Sequence, residues 1–237
     1  MRSLAAAPSG DISRMADDKL FWQGTLIAVQ PRIRLTRAFD QRSHTYLGYA
    51  LHVTGRIDDE DGEFLVGIGA AAQAKHQLRA GDVVQGHSAP VANEQMEPVG
   101  YYKTAGLRVI QRAAADEGKA PPPWRGITPE LETYRERGHR RLARRAVVDD
   151  AARHRRLSAQ TYAGKCRGCI WGCRMAVEIL IDQWNPRQRR YRAETFCYGP
   201  KSCPFYKPGP TRKVPGRKGM VWDEEDWVDE DATYHRD

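Results

Sequence analysis

All five cysteines of this 237-residue chain, Cys166, Cys169, Cys173, Cys197 and Cys203, fall within residues 166–203. They read C-x2-C-x3-C, a 23-residue gap, then C-x5-C. A segment so dense in thiols is constrained less by its apolar residues than by what its sulfurs hold, because thiolates are soft ligands for zinc and for iron–sulfur clusters. A secreted disulfide framework would spread an even number of cysteines along the chain. An odd number confined to one window predicts a metal-type site in a reducing, cytoplasmic compartment. No stretch approaches the roughly 20 apolar residues of a membrane span, and the Leu4–Ala7 run is too short for a signal-peptide core.

The sequence around the cysteines predicts a β-hairpin. Met175 to Trp184 is apolar and β-rich, Asn185-Pro186 signals a turn, and Tyr191 to Tyr198 pairs back. Cys166, Cys169 and Cys173 precede the first strand, and Cys197 and Cys203 close the second, so the hairpin brings both groups to one end. Two donor sets follow. In the first, Cys166, Cys169 and Cys173 hold three corners of a [4Fe–4S] cluster, with Cys203 as fourth ligand and Cys197 as its alternative. The spacing resembles cluster loops of molybdopterin-type oxidoreductases, and Cys203-Pro204 resembles the closing cysteine of ferredoxin runs. In the second, Zn2+ takes Cys166, Cys169, Cys197 and Cys203 and leaves Cys173 idle, which resembles a zinc ribbon. Gly168 and Gly172 are expected to let backbone N–H groups approach the sulfurs.

Upstream, the pattern changes to short alternating runs. Strands are predicted at Phe21–Leu35, Tyr46–Thr54, Phe64–Ile68, Val83–Gly86 and Gly106–Arg112, with a turn at Ile57–Gly62 and an alanine-rich helix at Ala70–Leu78. The order β-β-β-α-β-β resembles the OB-fold, a five-stranded barrel with one helix between strands three and four. After Pro121-Pro122-Pro123, Thr128-Pro129-Glu130 opens a helix, and residues 130–156 carry nine arginines against five acids. The expected fold is mainly β with a helical linker. Its parts are a disordered N-terminus (1–18), an OB-like barrel (19–113), a proline-containing linker and basic helix (114–160), a cysteine-ligated hairpin module (161–220) and an acidic tail (221–237).

A net charge of +8, with a pI near 9.4 and a mean hydropathy of −0.68, favours an acidic partner. Arg32, Arg34, Arg37 and Arg42 interleave with Phe39, Tyr46 and Tyr49. Arg42, His44 and Tyr46 are expected at the loop between the first two strands, and Lys75 and Arg79 are expected on the short helix. This mixture of cations and aromatics predicts binding of RNA or single-stranded DNA. No Gly-rich phosphate loop, H-E-x-x-H or G-x-S-x-G is present, and Asp40, Ser43 and His44 are ordinary loop residues, so catalysis draws little support from the sequence and a binding role is favoured over it. The sequence thus predicts an intracellular metal–sulfur protein that binds nucleic acid. The alternatives are an electron-transfer or catalytic iron–sulfur protein docked on a protein partner, and a structural zinc ribbon within a larger complex.

Overall fold

Residues 20–25 alternate between exposed and buried positions, and residues 28–31 are then buried without a break. A strand with one wet face alternates, whereas one covered on both faces does not. The change therefore marks a strand that serves two neighbourhoods. The computed structural model describes residues 19–37, 42–114, 122–138, 154–180 and 189–210. In it β1 runs over Leu20–Arg37, followed by β2 (Arg42–Ile57), β3 (Glu60–Ile68), α1 (Ala70–His76), β4 (Val83–Pro90) and β5 (Tyr101–Gln111). Then come α2 (Leu131–Gly138), β6 (Arg155–Arg156), α3 (Ala159–Thr161), a π-helical turn at Tyr162–Cys166, β7 (Gly172–Leu180) and β8 (Arg189–Cys197).

The protein is mainly β. Its mixed eight-stranded sheet runs β2-β3-β5-β4-β1-β7-β8-β6, and a β1–β2 pairing closes the first five strands into a ring. Around the ring, β1 pairs antiparallel with β2 and β4, β2 with β3, and β4 with β5, while β3 meets β5 in parallel at Val66 and Tyr101. The first half of β1 lies against β4. Its second half lies parallel to β7, with Leu35 opposite Val177. The expected ring strands and helix are all found. β1 and β2 run past both predicted ends, β3 and β5 start earlier and β4 ends later, because pairing carries them past the apolar runs, while β5 stops at Gln111 and α1 at His76, short of the predicted Arg112 and Leu78.

Two apolar clusters fill the structure. Trp22, Leu26, Val29, Leu51, Val53, Val66 and Val84 pack inside the ring. Ile33, Leu35, Met175, Val177, Ile179 and Phe196 pack under the β7–β8 hairpin, with Tyr134 of α2 among them. Tyr134 is fully buried and its hydroxyl donates to the Ile170 carbonyl at 2.6 Å. The described part of the linker helix, Leu131–Gly138, is thus anchored by an aromatic residue. The helix expected through Arg156 is revised at its far end. Arg155 and Arg156 extend the edge of β8, opposite Cys197 and Phe196. The N-terminus 1–18, residues 115–121 with Pro121, positions 139–153, the Asn185-Pro186 turn and the acidic tail lie outside the described residues.

One buried titratable group makes the ring pH-sensitive. His52 lies opposite Ala28 of β1 and is only 5% exposed. Burial, aided by the Arg167 and Arg174 guanidinium groups, lowers its pKa from 6.5 to about 4. Below pH 6.5 the unfolded chain takes up a proton that the folded chain resists, so stability falls as pH drops towards 4. The expected loss between pH 7 and 4 is on the order of 3 kcal/mol from this residue. Urea titrations of wild type and His52→Gln across that range should differ by this pH-dependent part.

Candidate metal centre

The cysteine segment folds as a series of tight turns. The Cys169 amide donates to the Cys166 carbonyl at 3.0 Å, and the Gly172 amide to the Cys169 carbonyl at 3.0 Å. The second cysteine group repeats this, with Cys203 N–H bonded to Pro200 at 3.3 Å and Tyr206 N–H to Cys203 at 3.2 Å. The two groups are tied by Tyr198 N–H to the Trp171 carbonyl at 2.9 Å, and by the pairing of Gly172 with Cys197. Gly172 is required by close approach. A Cβ there would stand 2.6 Å from the Cys166 carbonyl oxygen and 2.8 Å from Gln30 Nε2. Gly168 is under no such constraint, since the nearest atom to a Cβ there is 3.9 Å away.

Cys166, Cys169 and Cys197 are buried together beside Leu157 and Tyr162, with Trp124, Trp171 and Tyr206 around them. Cys203 is half-exposed and lies within electrostatic reach of Cys166 and Cys197. Burial pushes the Cys166 thiol up to about 12, and the neighbouring sulfurs of Cys169, Cys197 and Cys203 add to it. Burial likewise raises Cys169 to about 11, against the backbone N–H groups of Trp171, Trp124 and Gly172, which favour its thiolate. Cys197 is raised by burial and held down by the Gly199 amide, 3.4 Å from its sulfur, and by Arg155. Backbone donors aimed at sulfur are the arrangement a thiolate ligand uses. The four sulfurs are neighbours but are not drawn up as ligands. Among the described residues, no three His, Cys, Asp or Glu side chains stand close enough to hold a metal ion.

Cys173 lies elsewhere. It is fully buried in the cluster under the hairpin, and its Sγ donates to the Pro31 carbonyl at 3.3 Å. Burial alone raises its pKa, with no contribution from another cysteine. The sequence carried a signal for this. Cys173 shares the parity of Met175, Val177 and Ile179 along β7, so period two turns it into the apolar face.

The site is fixed to the ring by a residue that sequence reasoning passed over. Gln30 Nε2 donates to the carbonyls of Cys169 (2.8 Å), Cys166 (3.1 Å) and Arg167 (3.2 Å). Its Oε1 accepts from the Tyr162 hydroxyl at 2.7 Å. A single amide inside the run Ile27-Ala28-Val29-Gln30-Pro31 was the available clue, since buried polar groups find partners. Arg137 stacks over Trp171 at 4.1 Å and Arg155 over Tyr206 at 3.7 Å.

The cations expected to meet nucleic acid are mostly engaged within the protein. Arg34 donates to Glu97 at 2.7 Å and to the Met96 carbonyl at 3.0 Å, and Arg32 lies 3.9 Å from Glu97 and donates to Leu47. Arg37 stands 3.6 Å from Glu194, which also holds Arg156 and Arg192. Arg79 donates to Ala113 at 2.7 Å and faces Asp82. His44 and Tyr46 pack against His154 and Arg135 respectively. Lys75 is exposed on α1, and the Arg42 side chain lies outside the described residues. A cleft of about 310 Å³ opens beside the hairpin, but Glu94, Glu97, Arg174 and Arg192 line it with both signs of charge.

Gln30→Leu leaves the buried Tyr162 hydroxyl without its acceptor and strips a second donor from the Cys166 and Cys169 carbonyls, at a cost of about 1–3 kcal/mol. Chemical denaturation should show that loss. Amide hydrogen exchange should quicken first at 162–172 while the ring core stays protected.

With this geometry in hand, the chain matches no protein-family model, no curated protein and no solved structure.

Proposed function

We propose that this chain is a metal–sulfur protein in which Cys166, Cys169, Cys197 and Cys203 hold a structural zinc ion beside a barrel that binds single-stranded nucleic acid. The observation that carries the metal assignment is the division of the five thiols. Cys166, Cys169 and Cys197 share one buried cluster with Cys203 within electrostatic reach, and Cys173 is turned into the other apolar cluster. Four thiol donors suit tetrahedral zinc, and the N–H groups at Cys169 and Cys197 suit their thiolate forms. The [4Fe–4S] set that includes Cys173 draws less support, because its third sulfur is hydrogen-bonded to the Pro31 carbonyl within the apolar cluster under the hairpin. A bound zinc ion supplies bonds that cross-link the turns, which makes metal binding part of the folding free energy.

The nucleic-acid part rests on the charge of +8 and on the ring. Its order β1-β2-β3-β5-β4-β1, with α1 between β3 and β4, resembles the OB-fold, which serves single-strand binders among others. No helix among the described residues is long and apolar enough to cross a membrane.

Metal analysis of the purified chain is expected to give about one zinc per chain. Cys166→Ser, Cys169→Ser and Cys197→Ser should lose it, and Cys173→Ser should retain it. Chelation should lower Tm and loosen residues 161–206. Loss of metal in Cys173→Ser with retention in Cys197→Ser overturns the donor set, and iron with acid-labile sulfide overturns zinc.

A further inference from the structure

The outer face of β1, β4 and β5 is composed unlike the rest of the ring. Cross-strand pairing sets its side chains in rows. Phe21 lies opposite His87, and His87 opposite Ala105. In the next row Arg56, Gln23, Gln85 and Arg108 follow one another across β2, β1, β4 and β5. Phe21 is 42% exposed, a large apolar ring on a sheet face, and it meets the His87 ring at 5.3 Å between centroids. Gln23, His87, Lys103 and Arg108 are exposed as well.

Charge is sorted across this surface. Residues 20–25, β4 and β5 contain no aspartate or glutamate, and they carry Lys103 and Arg108, with Lys19 just before β1. Asp58, Asp59, Glu60, Asp61 and Glu63 are gathered at the β2–β3 tip, beyond Arg56, which is bonded to Asp59. A polyanion is repelled from that margin and drawn towards β4 and β5. β5 is also reshaped there. It gains one residue on β4 between Arg108 and Ala105 and another between Ala105 and Tyr102, where Gly106 (φ 61°) and Lys103 (φ 52°) are left-handed. Bulges of this kind re-aim side chains, and a lysine held at positive φ is uncommon.

We propose that this face binds single-stranded nucleic acid, with bases stacked on Phe21 and His87, amides of Gln23 and Gln85 against base edges, and phosphates at Lys103 and Arg108. The proposal rests on the nucleic-acid reading above and moves its interface away from the β1–β2 arginines, which hold Glu97 and Glu194. The properties it needs occur together on β4 and β5 and the start of β1: exposed aromatic rings, the exposed cations Lys103 and Arg108, amide donors and acceptors, and strands β4 and β5 without a carboxylate. The acid close by is Asp58, whose amide is bonded to the Phe21 carbonyl at the β2–β3 margin.

The test uses the full-length, metal-loaded chain and a fluorescein-labelled dT12 oligonucleotide, read by anisotropy at several salt concentrations. Wild type should bind at low salt and weaken steeply as salt rises. Phe21→Ala should bind roughly tenfold more weakly. Lys103→Glu with Arg108→Glu should abolish binding at moderate salt and flatten the salt slope by about two. Lys75→Glu on the exposed helix should bind as wild type. Circular dichroism and metal content should be unchanged in all three, since the altered side chains are exposed. Wild-type affinity retained by both face variants overturns this interface and leaves the broader reading standing. A failure of wild type to bind dT12 overturns both, and equal affinity for a duplex of the same length overturns single-strand recognition.

Discussion

The Gln30 side chain is the joint on which the arrangement depends. Its amide sits at the end of the ring's first strand segment and holds three carbonyls of the cysteine turn, while its oxygen holds Tyr162. The turn's own amides reach two of those carbonyls, Cys169 N–H on Cys166 and Gly172 N–H on Cys169, and a carbonyl oxygen can take a second donor. Gln30 supplies that second donor from a rigid strand. With the turn fixed, Gly172 enters β7 at a set height, and the hairpin lands with Leu35 beside Val177. Four hydrogen bonds thus determine where a whole second cluster forms.

The tyrosines and tryptophans extend that control. Tyr134 reaches from α2 to the Ile170 carbonyl, Trp124 accepts the Ile170 amide at 3.0 Å, and Trp171 accepts from Tyr198. Residues from the linker, the turn and the second cysteine group therefore share one small region. Each contact is modest alone. Together they make the placement of the sulfurs a property of the ring and linker as much as of the cysteine turns.

Much of the ring was legible because its strands are short, alternating and separated by turn residues. The Asp58-Asp59 connection and the alanine-rich helix were plain for the same reason. The candidate site was legible in part. Spacing identified the cysteines and the hairpin between them, and the parity of β7 held the clue to Cys173. What the sequence hid was long-range pairing. Arg34 reads as a free cation until Glu97 is brought to it, and Arg37 until Glu194 is, across separations no local pattern spans. The burial of Tyr134 was hidden likewise, since α2 has the composition of a solvated helix and is placed by what the hairpin leaves open.

The parallel partnership of β1 with β7 has a consequence for how the chain is made. Leu35 and Val177 are 142 residues apart, so on a ribosome adding about 5–20 residues per second one edge of β1 waits about 7–30 s for its partner. β2 arrives early and covers the other edge. During that interval an apolar strand presents unpaired backbone groups to every neighbouring nascent chain, the circumstance in which strands stick to one another. Arg32 and Arg34 alternate with Ile33 and Leu35 along that edge, and Arg37 closes it. Charges so spaced oppose pairing with a stranger. Glu97, made 80 residues before Val177, takes up Arg32 and Arg34, and Glu194 of β8 takes up Arg37 once the hairpin is made. The basic stripe of β1 thus acts first as a guard on a newborn edge and afterwards as part of the finished structure's electrostatic fastening.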